Sequence, residues 1–250
     1  SHEDEWIVVC DPGEGREVGT MLDKFHVRED FELRLLNSGE MLRIDLSGPA
    51  AEKIANKLGR SRENVEWKFE GASVLTAKFE LGELPRLINL VSVSVLQNFI
   101  EQVLRNENVD LIGLDAFDEI RVLEGVPRSG VDYSTDNFPQ EAGLGDHISF
   151  NKGCYIGQEP HARMYHRGHP NWISVWLKIP ENSEIVSGQK LFNAGKEIGK
   201  ITSLGSFSID SYYRGIAMIR YEAAKENSLL GLTANEPPLI IHEPLPSTIV

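Results

Sequence analysis

The period of the hydrophobic pattern changes near Gly168-His169-Pro170 in this 250-residue chain, and that change limits the folds open to it. Upstream, helical and strand spacings are interleaved. Val18, Met21, Leu22 and Phe25 recur at helical spacing, as do Ala51, Ile54, Ala55 and Leu58, and Leu96, Phe99, Ile100, Val103 and Leu104. Residues three and four apart share one helix face, so each set predicts an amphipathic helix. Between them Phe31, Leu33 and Leu35 alternate, then Leu42, Ile44 and Leu46, with Asn37-Ser38-Gly39 between the two runs, which predicts a hairpin or two adjacent strands. Further strands are expected at Trp6 to Val9, buried and ending at Asp11-Pro12-Gly13, and at Val65 to Phe69 and Ser73 to Phe79.

Downstream, Trp172 to Ile179, Lys190 to Phe192, Glu197 to Thr202 and Gly215 to Tyr221 are short runs at regular spacing, with Ala194-Gly195 as a turn. Such spacing with little helix predicts a small antiparallel β-barrel. The class is therefore α+β, with an α+β region over residues 1–168 and a C-terminal barrel over 169–250. Its Pro-rich end, Glu236 to Pro246, reads as an irregular tail.

Helix boundaries come from end signals. Ser47 is placed to cap a helix with Pro49 in its first turn and Gly59 after its last. Another helix is expected between Ser92 and Arg105. A third begins at Asp115, whose carboxylate can cap it, with Asp118 in the first turn, Ile120 and Leu123 facing inward and Arg121 facing outward toward a cleft.

Composition excludes several classes. No apolar run reaches the eighteen or so residues a membrane helix needs, and the N-terminal SHEDEW lacks the basic and apolar regions of a secretory signal. The net charge of −13 opposes extended contact with phosphate backbones, whose affinity comes mostly from Lys and Arg. Two cysteines in very different settings do not suggest a disulfide framework. A reducing compartment is expected, the cytoplasm or alternatively a mitochondrial or plastid matrix.

The stretch Lys152 to Glu159 carries the candidate chemistry. It sets Cys154 among glycines and polar residues, whereas Cys10 closes the apolar run from Trp6 and reads as a small buried hydrophobe. A cysteine attacks as thiolate, and nearby cations favour that form; Lys152 and Arg163 are the cations at hand. Gly153 and Gly157 permit close approach of a ligand to the main chain. Gln158 offers a donor and an acceptor and Glu159 only acceptors, a pair suited to a planar heterocycle such as a pterin. Beyond Glu159, His161, Arg163, His166, Arg167 and His169 run without an acid. They could form a cationic rim for a carboxylate or phosphate, or a solvated turn. His147, Cys154, His161 and His166 match no standard zinc spacing, and no metal site is predicted.

The string KGCYIGQE, preceded by FPQEAGLGDHISFN and followed by PHARMYHRGHP, resembles the YgfZ family of folate-binding proteins, relatives of the glycine-cleavage T protein (aminomethyltransferase). Arg121, Gly125, Pro127, Gly130 and Asp132 fit a second pattern of that family, and Gly188 to Gly205 resembles its glycine-punctuated hairpin. The likeness runs from about Trp6 to about Ala224. It implies tetrahydrofolate as cofactor, iron–sulfur proteins or their assembly factors as partners, and through them a role in tRNA modification. It also implies Cys154 as the essential thiol and Glu159 as the candidate base. Folate contacts would come from Arg121, Lys152, Gly153, Tyr155, Gly157, Gln158, Glu159 and Arg163.

The chain also departs from the pattern. The aspartate that the T protein uses on its aminomethyl substrate has no counterpart here, nor has its folate-contacting glutamate a clear match between Gly82 and Asn89. Pro160 stands where relatives often have a larger aliphatic residue, and is tolerated in a first helical turn. A folate-dependent aminomethyltransferase or demethylase is the alternative function, and a non-catalytic interaction module a third.

Overall fold

Three strand pairs in this computed structural model are joined by two-residue turns that leave both residues left-handed. They are Glu70-Gly71 (φ 48° and 85°), Ala194-Gly195 (47° and 77°) and Asp210-Ser211 (53° and 67°). That geometry matches the twist of the flanking strands and sets their register. The structure describes residues 6–10, 13–28, 30–36, 39–61, 65–106, 109–225, 229–234 and 240–245. The chain packs as two units, one of Ser1–Glu80 with Leu84–Leu111, the other of Leu81–Glu83 with Ile112–Val250. The sequence boundary at 168/169 lies inside the second.

The first unit contains α1 (Gly15–Lys24), β1 (Met41–Ser47), α2 (Ala51–Lys57), β2 (Glu66–Phe69), β3 (Ala72–Leu81), β4 (Leu84–Ser92) and, after a 3₁₀ turn at Val93–Val95, α3 (Leu96–Leu104). The sheet order is β1-β4-β3-β2. β1 runs antiparallel to β4 from Met41 opposite Ser92 to Ser47 opposite Arg86. Apolar residues of one sheet face meet α2 and α3 in a core that includes Leu46, Ile54, Trp67, Val74, Leu87 and Phe99. Phe99 is fully buried, edge-on to Phe69 at 5.2 Å between centroids. The polar groups inside this core are satisfied in series. Trp67 Nε1 donates to Thr76 Oγ1 (2.9 Å), Thr76 Oγ1 to Asn89 Oδ1 (2.7 Å), and Asn89 Nδ2 to the carbonyls of Ile44 and Leu87.

Several expectations are corrected here. Trp6 to Val9 is irregular and largely exposed, and so are Phe31, Leu33 and Leu35; neither run has a strand beside it among the described residues, and an isolated strand is not stable. The turn residues 11–12 and 37–38 lie outside the described residues. α1 forms as predicted, yet buries none of its residues. Ser47 ends β1 instead of capping α2, which starts at Ala51, and β4 went unrecognised in the sequence.

The second unit holds α4 (Leu114–Leu123), α5 (Gln158–Arg167), β5 (Trp172–Pro180), β6 (Lys190–Asn193), β7 (Lys196–Ile209), β8 (Tyr212–Arg220), α6 (Tyr221–Lys225) and β9 (Ile241–Pro244). The expected barrel is an open five-stranded antiparallel sheet in the order β6-β7-β8-β5-β9. Among the described residues its edges approach through isolated bridges, Phe192 to Gly231 and Leu230 to Ile240, too few to make a closing strand. Leu177, Ile179, Leu191, Ile201, Ile219 and Ile240 fill its core. Part of the expected irregular tail is β9, and residues 235–239 and 246 lie outside the described residues. No helix among the described residues is long and apolar enough to cross a membrane.

Candidate functional site

Arg121 does not face outward as the sequence suggested. Only 2% of it is exposed. Its Nε donates to Asp118 (2.7 Å), Nη1 to Asp132 (2.6 Å) and to the Val126 carbonyl (3.1 Å), and Nη2 to Ser203 Oγ (2.7 Å). Asp132 also accepts from Ser203 Oγ, Thr202 Oγ1 and the Arg128 backbone N–H. Buried charges persist only when paired and hydrogen-bonded, and this network meets both conditions while tying α4 to β7. Burial works to raise the Asp118 carboxyl, but hydrogen bonds and charge from Arg121 and then Arg128 outweigh it and hold Asp118 below the usual carboxylate range. Asp118 therefore acts as a pairing residue, and α4 is preceded by Gly113 with no side-chain cap.

Cys154 is exposed, in the loop before α5. Nothing lies within 4 Å of where a Cβ on Gly153 would stand, so the main chain there is open to approach. Gly157, at φ 85°, turns the chain into α5; the Gln158 N–H donates to the Tyr155 carbonyl (3.2 Å) and Pro160 sits in the first helical turn. The two cations expected beside the thiol are engaged elsewhere. Lys152 Nζ lies 4.6 Å from the centre of the Tyr155 ring, and Arg163 pairs with Glu159 at 3.2 Å. The Tyr155 hydroxyl oxygen is buried with no hydrogen-bond partner among the described residues.

In the sequence His161 stands in the basic rim and in the four-residue set that matches no zinc spacing. Its Nδ1 lies 2.8 Å from Gln140 Oε1, while Gln140 Nε2 donates to the His161 carbonyl (3.4 Å). Because the amide nitrogen is spent on the carbonyl, the amide oxygen must accept, and Nδ1 carries the hydrogen of the neutral ring. Burial holds His161 below the usual imidazole range. Two other rim residues face acids, Arg163 with Glu159 and His169 with Glu222, each at 3.2 Å. His169 also stacks on Tyr221 at 4.2 Å. Among the described residues no three of His, Cys, Asp and Glu converge as metal ligands.

A groove of about 410 Å³ runs along α5, its walls including Phe138, Glu141, Glu159, Arg163, Met164 and Asn171. Of the predicted residues, Glu159 and Arg163 meet there; Lys152, Cys154, Tyr155, Gly157 and Gln158 lie on the loop and at the helix start, and Arg121 is in neither place. Glu141, a wall residue the sequence did not single out, follows Gln140 in the FPQE string.

Comparison with known proteins gives the class: the chain belongs to the aminomethyltransferase-like family. In particular, it is 32% identical over 199 residues to an aminomethyltransferase of Desulfitobacterium hafniense, covering 72% of this chain and 52% of that protein. It is 31% identical over 198 residues to an aminomethyltransferase of Halothermothrix orenii, covering 72% and 53%. The crystal structure of glycine cleavage system aminomethyltransferase T from Bartonella henselae shares its fold, with a TM-score of 0.69 over 94% of this chain and 66% of that one at 20% identity. The chain thus spans about half the length of the curated relatives it matches. No family model matches it.

Proposed function

We propose that this protein binds a reduced folate at the Cys154 loop and supports the assembly or repair of iron–sulfur proteins, as the YgfZ-like string implies, with Cys154 as the essential thiol. The observation that carries the reading is an exposed cysteine on an open, glycine-flanked loop in a chain of aminomethyltransferase descent. The loop has features that suit such a ligand. Gln158 and Glu159 offer mixed hydrogen-bonding edges at the start of α5. Lys152 would face the glutamate tail, Arg163 being held by Glu159. Arg121 enters as a positioning residue, because its donors are already committed within the fold. Tetrahydrofolate, when bound, supplies one-carbon carrier chemistry.

The test is calorimetry with tetrahydrofolate joined to complementation of a deletion strain. Cys154→Ser should keep folate affinity within about twofold, a difference of under 1 kcal/mol, and fail to restore cluster-enzyme activity. Full rescue by that variant would defeat the assignment.

The likeness to aminomethyltransferases favours a second reading, folate-dependent transfer of an aminomethyl or methyl group. It needs a base within reach of the reacting amine. Glu159 is the candidate, although it is 85% exposed and paired with Arg163. Turnover of an N-methyl donor that is lost in Glu159→Gln would establish this reading over the first.

A further inference from the structure

The groove along α5 contains a carboxylate oxygen that the fold itself does not use. Glu141 is only 6% exposed, and its Oε2 accepts from the Phe138 backbone N–H (3.2 Å) and from Asn137 Nδ2 (3.4 Å). Its Oε1 has no partner among the described residues, and the side chain forms part of the groove wall. A carboxylate oxygen that reaches the groove without a protein donor is left to water, and a ligand N–H placed there can take that water's place.

The surroundings select the ligand's chemistry. Glu159 adds a second carboxylate at the rim and Arg163 its single permanent cation, so the formal charges of Glu141, Glu159 and Arg163 sum to one negative, which disfavours anions. Phe138, 40% exposed, and Met164 supply an apolar wall. A planar, weakly hydrated cation with forked N–H donors fits such a wall better than a compact, strongly hydrated ammonium does. We propose that this groove binds a small organic cation of the amidinium or guanidinium class, with Glu141 Oε1 accepting its N–H and the Phe138 ring covering its face.

This goes beyond the folate reading and does not depend on it, because the probe carries no pteridine. Benzamidine is titrated into the full chain by calorimetry, beside benzoate, which has the same ring and the opposite charge. Saturable one-to-one binding of benzamidine without binding of benzoate is expected. Glu141→Gln, which keeps an acceptor for the Phe138 N–H, should weaken benzamidine by about tenfold or more, as expected for loss of a charged partner. Its thermal transition is measured alongside; should that variant not fold, the wild-type contrast between the two probes still decides. No saturable benzamidine binding, equal binding of benzoate, or unchanged affinity in a folded Glu141→Gln would each overturn the proposal.

Discussion

The Gln140 amide decides which nitrogen of His161 carries its hydrogen, and the burial of that ring has a consequence for pH. Burial sets the folded-state value of His161 below the unfolded value of 6.5. The unfolded chain therefore binds the proton more readily, so the stabilisation is complete above pH 6.5 and declines as pH falls from there through the folded value. Chemical-denaturation midpoints of wild type should drop more between about pH 7.5 and 5.5 than those of His161→Gln, 6.5 lying inside that window; equal drops would show that His161 is not the group responsible. Arg121 makes a second residue-scale case. Replacing Asp132, whose side chain is fully buried, by Ala leaves Arg121 without its shortest ion pair, and removing one partner of such a pair costs about 3–5 kcal/mol. Urea midpoints of Asp132→Ala against wild type measure it.

Among the elements, α3 and the sheet of the first unit depend on one aromatic. Phe99 is fully buried against Phe69 and Trp67, and Phe99→Ala should cost about 3–5 kcal/mol in urea unfolding, the range for emptying an aromatic site. The start of α5 depends on backbone conformation, since Gly157 is left-handed at φ 85°. Ala there meets no close contact but a strained backbone, so Gly157→Ala should lower stability by about 1 kcal/mol, readable as a shift in thermal midpoint. These elements also show what periodicity can and cannot reveal. α2, α3, β2 and β5 are legible because one face of each is more apolar than the other. β4 gives no period to read because Leu87 and Val91 on one face alternate with Ile88 and Leu90 on the other, and the polar Asn89 stands on the same face as Leu87 and Val91. Trp6 to Val9 failed in the opposite sense, since an apolar run predicts a strand only where another strand accepts its hydrogen bonds.

For the whole molecule, the charge of −13 argues against phosphate-backbone binding, and within the basic run after Glu159 both Arg163 and His169 face acids of their own. The chain should pass through a heparin column unretained at physiological salt; retention that weakens with added salt would show a polyanion site.

The amino-acid order by itself determined the α+β class, the cysteine loop and the family likeness, because each is written in local spacing and in a contiguous string. Tertiary structure alone decided that Arg121 turns inward, that the expected barrel stays an open sheet, and that Glu141 keeps a carboxylate oxygen unpaired at a groove wall. Each of these depends on partners far away in sequence, as Ser203 is from Arg121, and whether a polar group is buried and paired is a property of the packed chain.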